Sequence, residues 1–175
     1  MFATVHPYRR PAGAGTVPQD AAGAIVVDHR DGDEGTVVAL WPDAAQAPAG
    51  TRAHPLVDRF DGLAAGRIPL FAQVTWVNEA GDPDVARAAE RGGRDRIHPA
   101  IRDVDGLVGV LVFRSADDHI LVVGLATGLE TLTEVQERIV GTPLLPGEDP
   151  ALLPGADRIE VGRVIRADVP AEVRS

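Results

Sequence analysis

The chain repeats a strand–turn–strand pattern, and that repeat limits the folds open to it more than any other feature. Residues 23–47 (GAIVVDHRDGDEGTVVALWPDAAQA) lie over residues 108–132 (VGVLVFRSADDHILVVGLATGLETL) without a gap. Val27, Asp33, Val37, Val38 and Leu40 match Val112, Asp118, Val122, Val123 and Leu125. Each segment reads as a strand, a polar turn, a second strand and the start of a helix. A shorter match precedes each copy: MFATVHPYR from Met1 lies over LFAQVTWVN from Leu70, pairing Phe2, Ala3 and Val5 with Phe71, Ala72 and Val74. Val5 to Val27 spans 22 residues and Val74 to Val112 spans 38, so the second copy carries 16 more between its first two strands. As helix, that insertion is roughly 24 Å long.

The insertion reads as helix. Asp82 can cap it, Pro83 suits the first helical position and Asp84 suits the positive end of the dipole. Val85, Ala89, Gly93, Ile97, Ile101 and Val104 form an apolar stripe at helical spacing, and Gly106 suits the exit. A second helix starts at Thr127, where Thr127 and Glu130 have the spacing of a capping box, and ends by Gly141 and Pro143. A last strand covers RIEVGRVIRA, residues 158–167. The second half, residues 70–168, is therefore βαββαβ, the ferredoxin-like plan. The first half, residues 1–64, keeps the strands but puts RRPAGAGTVPQDAA where the long helix should be, and Pro48 cuts its second helix short. A fourth strand is expected near Leu56–Leu63. The fold class is α+β: two tandem ferredoxin-like halves, the first degenerate, forming a barrel-like pair within one chain.

What is missing narrows the chemistry. All 17 basic residues are Arg, with no Lys and no Cys. Lysine Schiff bases, the Walker A loop, thiol catalysis, Fe–S clusters and Cys-zinc sites are excluded. The only serines, Ser115 in a turn and Ser175 at the last position, offer no serine-hydrolase elbow. A net charge of −9 repels polyanions, so no nucleic-acid partner is expected. No apolar run approaches a membrane span and no leader pattern is present, so a cytoplasmic protein without a membrane partner is expected.

The opening strand FAQVTWVNEAG, the helix RAAERGGRDRIHPAIRDVDGLVGVLVFR and the strand-to-helix run LVVGLATGLETL together resemble the dimeric α+β barrel superfamily, and within it antibiotic biosynthesis monooxygenase-like proteins. The first-half run TVVALWPDAAQA has the same form, with Trp41 at a strand end. The resemblance implies a pair of sheets closing a barrel, here within one chain, with a further homo-oligomer possible. It also implies a small-molecule pocket, and its members include cofactor-free oxygenases of aromatic compounds and heme-degrading enzymes. The heme-degrading branch places an Asn near the end of strand one, a Trp at the end of strand three and a His on the second helix. Asn78 meets the first, Ala126 stands at the second, and the helix after Thr127 has no His. In the first half, Trp41 meets the second, Arg9 stands at the Asn position, and again no helix His is present. Neither heme, another cofactor nor a metal is therefore expected. A small aromatic ligand is the expected partner, bound either by a cofactor-independent monooxygenase or by a non-catalytic ligand-binding relative; the further alternative is a structural or partner protein of the same fold.

The candidate ligand-binding residues are Trp76, Asn78, Gly93, Ile97 and His98, between the long helix (residues 83–103) and the strand at residues 70–78. Trp76 and Asn78, two apart on a strand, share a face; each also has a structural reading, as core and as strand end. Gly93, on the buried stripe, implies either close helix–sheet approach or space for a ligand. Arg87, Arg91, Arg94, His98 and Arg102 form a basic row that either meets an acidic ligand or is a solvated face paired with Asp84, Glu90 and Asp95. Asp28, Asp31, Asp33 and Glu34 read as turn chemistry rather than metal ligands. Tyr8 and His6 are scarce residue types that either do acid–base work or pack. Residues 141–157 hold two Leu pairs that either cover the first half's sheet or lid the pocket.

Overall fold

The computed structural model describes residues 1–10, 15–30 and 32–170. Its strands are β1 (Phe2–Arg9), β2 (Gly23–His29), β3 (Glu34–Trp41), β4 (His54–Asp61), β5 (Phe71–Val77), β6 (Leu107–Arg114), β7 (Ile120–Ala126) and β8 (Arg158–Asp168). The helices are α1 (Pro83–Gly92), α2 (His98–Ile101) and α3 (Leu129–Gly141), with a π-helical turn, Gly93–Ile97, joining α1 to α2. Of the linker read as RRPAGAGTVPQDAA, residues 11–14 lie outside the described residues, as does Asp31 of the acidic cluster.

The strands close a barrel in the order β1-β3-β2-β8-β5-β7-β6-β4, and every pairing is antiparallel. Within it each half has its strands in the same order, fourth-first-third-second: β4-β1-β3-β2 and β8-β5-β7-β6. The halves join where the second strand of one meets the fourth strand of the other, as β2–β8 and β6–β4. Closure leaves no unpaired strand edge, and it needs no second chain.

Strand pleating divides the apolar residues between two sides. Ala3, Ile25, Val27, Val38, Leu40, Ala72, Val74, Leu111, Phe113, Leu121, Val123 and Leu125 pack as one buried cluster inside the barrel. The repeat is preserved in β1/β5 and β3/β7: Phe2 pairs with Trp41 as Phe71 pairs with Ala126. In β2/β6 the gapless match is off by one. Val27 pairs with Thr36, whose counterpart in the second copy is Leu121, and Leu121 pairs with Phe113 rather than Val112. The second turn is one residue shorter, and a one-residue slip moves every side chain to the other face. Val27 thus fills the barrel, while Val112 points outward.

The outer faces differ. In the first half Ala24, Val26, Val37, Ala39 and Trp41 are buried under Val17, Ala21 and Ala47. Trp41 is 1% exposed and its indole N–H donates to Thr4 at 3.0 Å. Only a short 3-10 turn, Ala44–Gln46, remains of the second helix. Ala126 replaces Trp41 in the second half, where the helices cover the face. Asp82 caps α1 by accepting from the Asp84 and Val85 amides, with Pro83 opening the helix. The expected capping box on α3 is not formed. Gly128 takes the cap position, and the Thr127 hydroxyl instead donates to the Gly106 carbonyl. No helix of the described residues is long and apolar enough to cross a membrane.

Candidate functional site

A cavity of about 530 Å³ lies between the outer face of the second-half sheet and its helices. Its floor is the outward set of strand residues: Gln73, Thr75 and Val77 of β5, Val110 and Val112 of β6, and Ile120, Val122 and Gly124 of β7. Its roof is the helical stripe read from the sequence, with Val85, Ala89, Gly93, Ile97 and Ile101 all lining it. From α3 come Leu132, Val135, Gln136 and Ile139. Val122 and Gly124 are the counterparts of Val37 and Ala39, whose space in the first half is filled.

The π turn ends two residues before Pro99. Pro99 has no amide hydrogen to continue the helical ladder and its ring crowds the preceding turn. A wider turn absorbs that conflict, and such turns recur at functional sites. Gly92 and Gly93 separate cleanly. A Cβ on Gly93 would meet nothing within 4 Å, so it faces open space in the cavity. A Cβ on Gly92 would lie 2.8 Å from a Glu148 oxygen, so the close approach belongs to Gly92.

Glu148 belongs to the long connection between α3 and β8, whose Leu152, Leu153, Pro154, Gly155 and Ala156 line the cavity. The connection therefore closes the second-half cavity rather than covering the first half. Glu148 accepts from the Leu145 amide at 2.7 Å and lies 2.9 Å from Arg96 Nε in a largely buried ion pair. Nε and the carboxylate are close without hydrogen-bond alignment, and Glu148 Oε1 has no hydrogen-bond partner among the described residues.

Of the five residues chosen from the sequence, Gly93 and Ile97 line this cavity. His98 lies beside it, stacked on Phe60 of its wall with ring centroids 3.9 Å apart. Trp76 and Asn78 are not in it, which corrects the expected grouping. Trp76 has the opposite strand parity from Gln73, Thr75 and Val77, so it points into the barrel end, with the Arg158 guanidinium 3.7 Å over its ring. Asn78 does not continue the pleat to share Trp76's face. At φ 62 it turns the chain, and it is 4% exposed. Its amide donates to the Asp82 and Asp118 carbonyls and its oxygen accepts from the Asp82 amide. Glu90, on the cavity wall, is held by Arg114 at 3.0 Å; Asp118 and Glu90 keep that guanidinium charged.

The other candidates lie away from the cavity. The Tyr8 hydroxyl donates to Asp28, and burial, then that hydrogen bond, push its pKa up. His6 bonds Thr4 at 3.0 Å, and Glu34 pairs with Arg9. A second concavity of about 340 Å³, at the barrel mouth beside Trp76, is lined by Arg52, His54, His119, Arg158 and Glu160 among others. It was not legible in the sequence, because its residues come from five strands and three connecting segments spread along the chain.

The donor set does not suit heme. Among the described residues no His lines the large cavity, and no three or more His, Asp or Glu side chains are grouped to hold a metal ion. Asn78 is committed to its turn.

No family model matches the chain, and no curated protein matches it in sequence. Solved structures match it in fold. An anthrone oxidase-like protein superposes with a TM-score of 0.57 at 8% identity, over 95% of this chain and 92% of its own. A heme-degrading enzyme from Listeria monocytogenes reaches 0.50 at 5% identity, over 93% and 99%. A major regulator of staphylococcal pathogenesis reaches 0.58 at 5% identity, over 96% and 100%. At such identities the likeness is one of fold alone, the ferredoxin-like fold named for a further neighbour from Listeria monocytogenes that is described as related to antibiotic biosynthesis monooxygenases.

Proposed function

We propose that the chain binds a small aromatic molecule in the second-half cavity and oxidises it with dioxygen without a metal or organic cofactor. The observation that carries the binding is the cavity itself: about 530 Å³, walled by aliphatic side chains with a few polar groups, which is the composition of small-molecule sites. The space at Gly93 between the sheet and the helices leaves room for a ring system. Support for oxidation is the shared fold of the anthrone oxidase-like protein. For an anthrone, the balanced reaction converts the ring methylene to a carbonyl. One oxygen atom enters the product and the other leaves as water with the two methylene hydrogens.

A second reading, a non-catalytic ligand-binding protein, draws on the cavity wall. Among the described residues it has no His, Tyr or Ser, and Glu90 is engaged by Arg114. Oxygen uptake and ligand binding measured together separate the two. With anthrone, the oxygenase reading expects stoichiometric oxygen uptake and quinone formation, both lost in Gly93→Trp, whose side chain intrudes into the space the ligand would take. Binding without uptake supports the second reading. Binding that Gly93→Trp leaves intact contradicts both.

A further inference from the structure

The geometry points to an anion subsite at the π turn: Arg94 and Arg96 select aromatic ligands that carry a negative charge. This rests on the cavity being the ligand site and adds the ligand's charge to that reading. Both arginines line the cavity, and both come from the five-residue turn that also supplies Gly93 and Ile97. Two residues apart on a helical segment, Arg94 and Arg96 start well apart around its axis, and both long side chains nevertheless line the cavity.

Neither guanidinium is used up. Arg94 makes no hydrogen bond or ion pair among the described residues, unlike Arg87, which pairs with Asp84, or Arg114, which is held by Glu90 and Asp118. Arg96 is anchored on one side only. Its Nε sits against Glu148, its Nη1 reaches the Thr142 carbonyl at 3.5 Å, and its Nη2 has no hydrogen-bond partner among the described residues. Glu148 thus fixes the Arg96 side chain, which is 11% exposed, while leaving donors for another acceptor. A guanidinium offers five N–H donors in a fixed fork and prefers carboxylate, sulfonate or phenolate oxygens. At Arg96, which is largely buried, such a contact is little screened, whereas Arg94 meets its acceptor from the exposed side of the turn.

The cavity also holds acidic groups, and their placement sharpens the inference. Glu90 is neutralised by Arg114. Asp58 comes from β4, on the wall opposite the helix, and accepts from the Arg59 amide. A ligand with its charge at the π turn and its rings over the β6–β7 floor meets the cations and leaves Asp58 at its neutral end.

Two fluorescent probes of nearly equal ring size test this: 1-anilinonaphthalene-8-sulfonate, which is anionic, and N-phenyl-1-naphthylamine, which is neutral. Both are titrated into the full chain, its Arg94→Gln and Arg96→Gln variants, and Gly93→Trp. Wild type should bind the sulfonate about tenfold tighter than the neutral probe, as a charge-assisted contact supplies. Arg94→Gln should remove much of that preference and leave the neutral probe's affinity unchanged; Arg94 is exposed and unpaired, so the fold is undisturbed. Arg96→Gln should do the same, provided its circular dichroism and Tm match wild type; if it unfolds, Arg94→Gln decides alone. Equal affinity for both probes in wild type, or a sulfonate preference that survives Arg94→Gln, overturns the anion subsite while leaving the cavity reading standing. Probe binding that Gly93→Trp does not weaken overturns both.

Discussion

Adjacent glycines in one helix should respond oppositely to the same substitution. Gly93 has helical dihedrals (φ −56, ψ −53) and open space where a Cβ would go. Gly93→Ala therefore gains the helix-propensity difference, about 0.5–1 kcal/mol, and its methyl displaces no neighbour. For a chain of this length that raises Tm by about 1–4 °C. Gly92 is equally helical (φ −59, ψ −39) but buried, and its new methyl would meet the Glu148 carboxylate at 2.8 Å. Glu148 cannot swing away freely, because its other oxygen holds the Leu145 amide and faces Arg96, and its side chain is 7% exposed. Complete loss of a partner from a buried pair costs about 3–5 kcal/mol. Partial displacement should outweigh the helix gain, leaving Gly92→Ala about 1 kcal/mol less stable than wild type. Thermal and urea unfolding of both variants measure this. In a Glu148→Ala background the obstacle is gone, and Gly92→Ala should become stabilising. If Gly92→Ala stabilises the wild-type chain as much as Gly93→Ala does, Glu148 is not fixed against the helix and the close packing of the connection there is wrong.

Two further outcomes follow from side chains outside the cavity. Asn78→Ala should cost about 2–3 kcal/mol by urea unfolding, since it leaves buried carbonyls and an amide unpaired and puts an alanine at positive φ, yet ligand affinity per folded molecule should be unchanged. His54 has its pKa pushed down, first by burial and then by Arg52 and His119, against the opposing Ala3 carbonyl and Asp117. Its neutral form is favoured in the folded state, so its contribution is intact above the ordinary value of about 6.5 and is lost as pH falls below it. Tm should drop between pH 7 and 5, and His54→Gln should flatten that part of the slope.

The strand pattern and the helical stripe were legible because period 2 and period 3.6 leave residue-by-residue signatures. Asp82 with Pro83 marked the start of α1, and Val85, Ala89, Gly93, Ile97 and Ile101 marked the face that lines the cavity. The one-residue difference between the two β-turns was hidden because Val27 and Val112 are the same residue type on opposite faces. Asn78 misled because a strand-end asparagine at positive φ looks, in sequence, like one more residue of the pleat. Arg96 escaped the basic row drawn at helical spacing because it stands only two residues from Arg94, and a π turn has no periodic signature of its own. Glu148 is more than fifty residues from Gly92 and Arg96, which it touches, a contact set by tertiary packing alone.

The most direct measurement is a crystal structure of the chain soaked with anthrone or with 1-anilinonaphthalene-8-sulfonate. Ring density between the π turn and the β6–β7 floor, touching Gly93, Ile97 and Val122, is the expected result, with the sulfonate beside Arg94 and Arg96. Density at the barrel mouth beside Trp76 and His54, with the second-half cavity empty, would contradict the cavity as the ligand site.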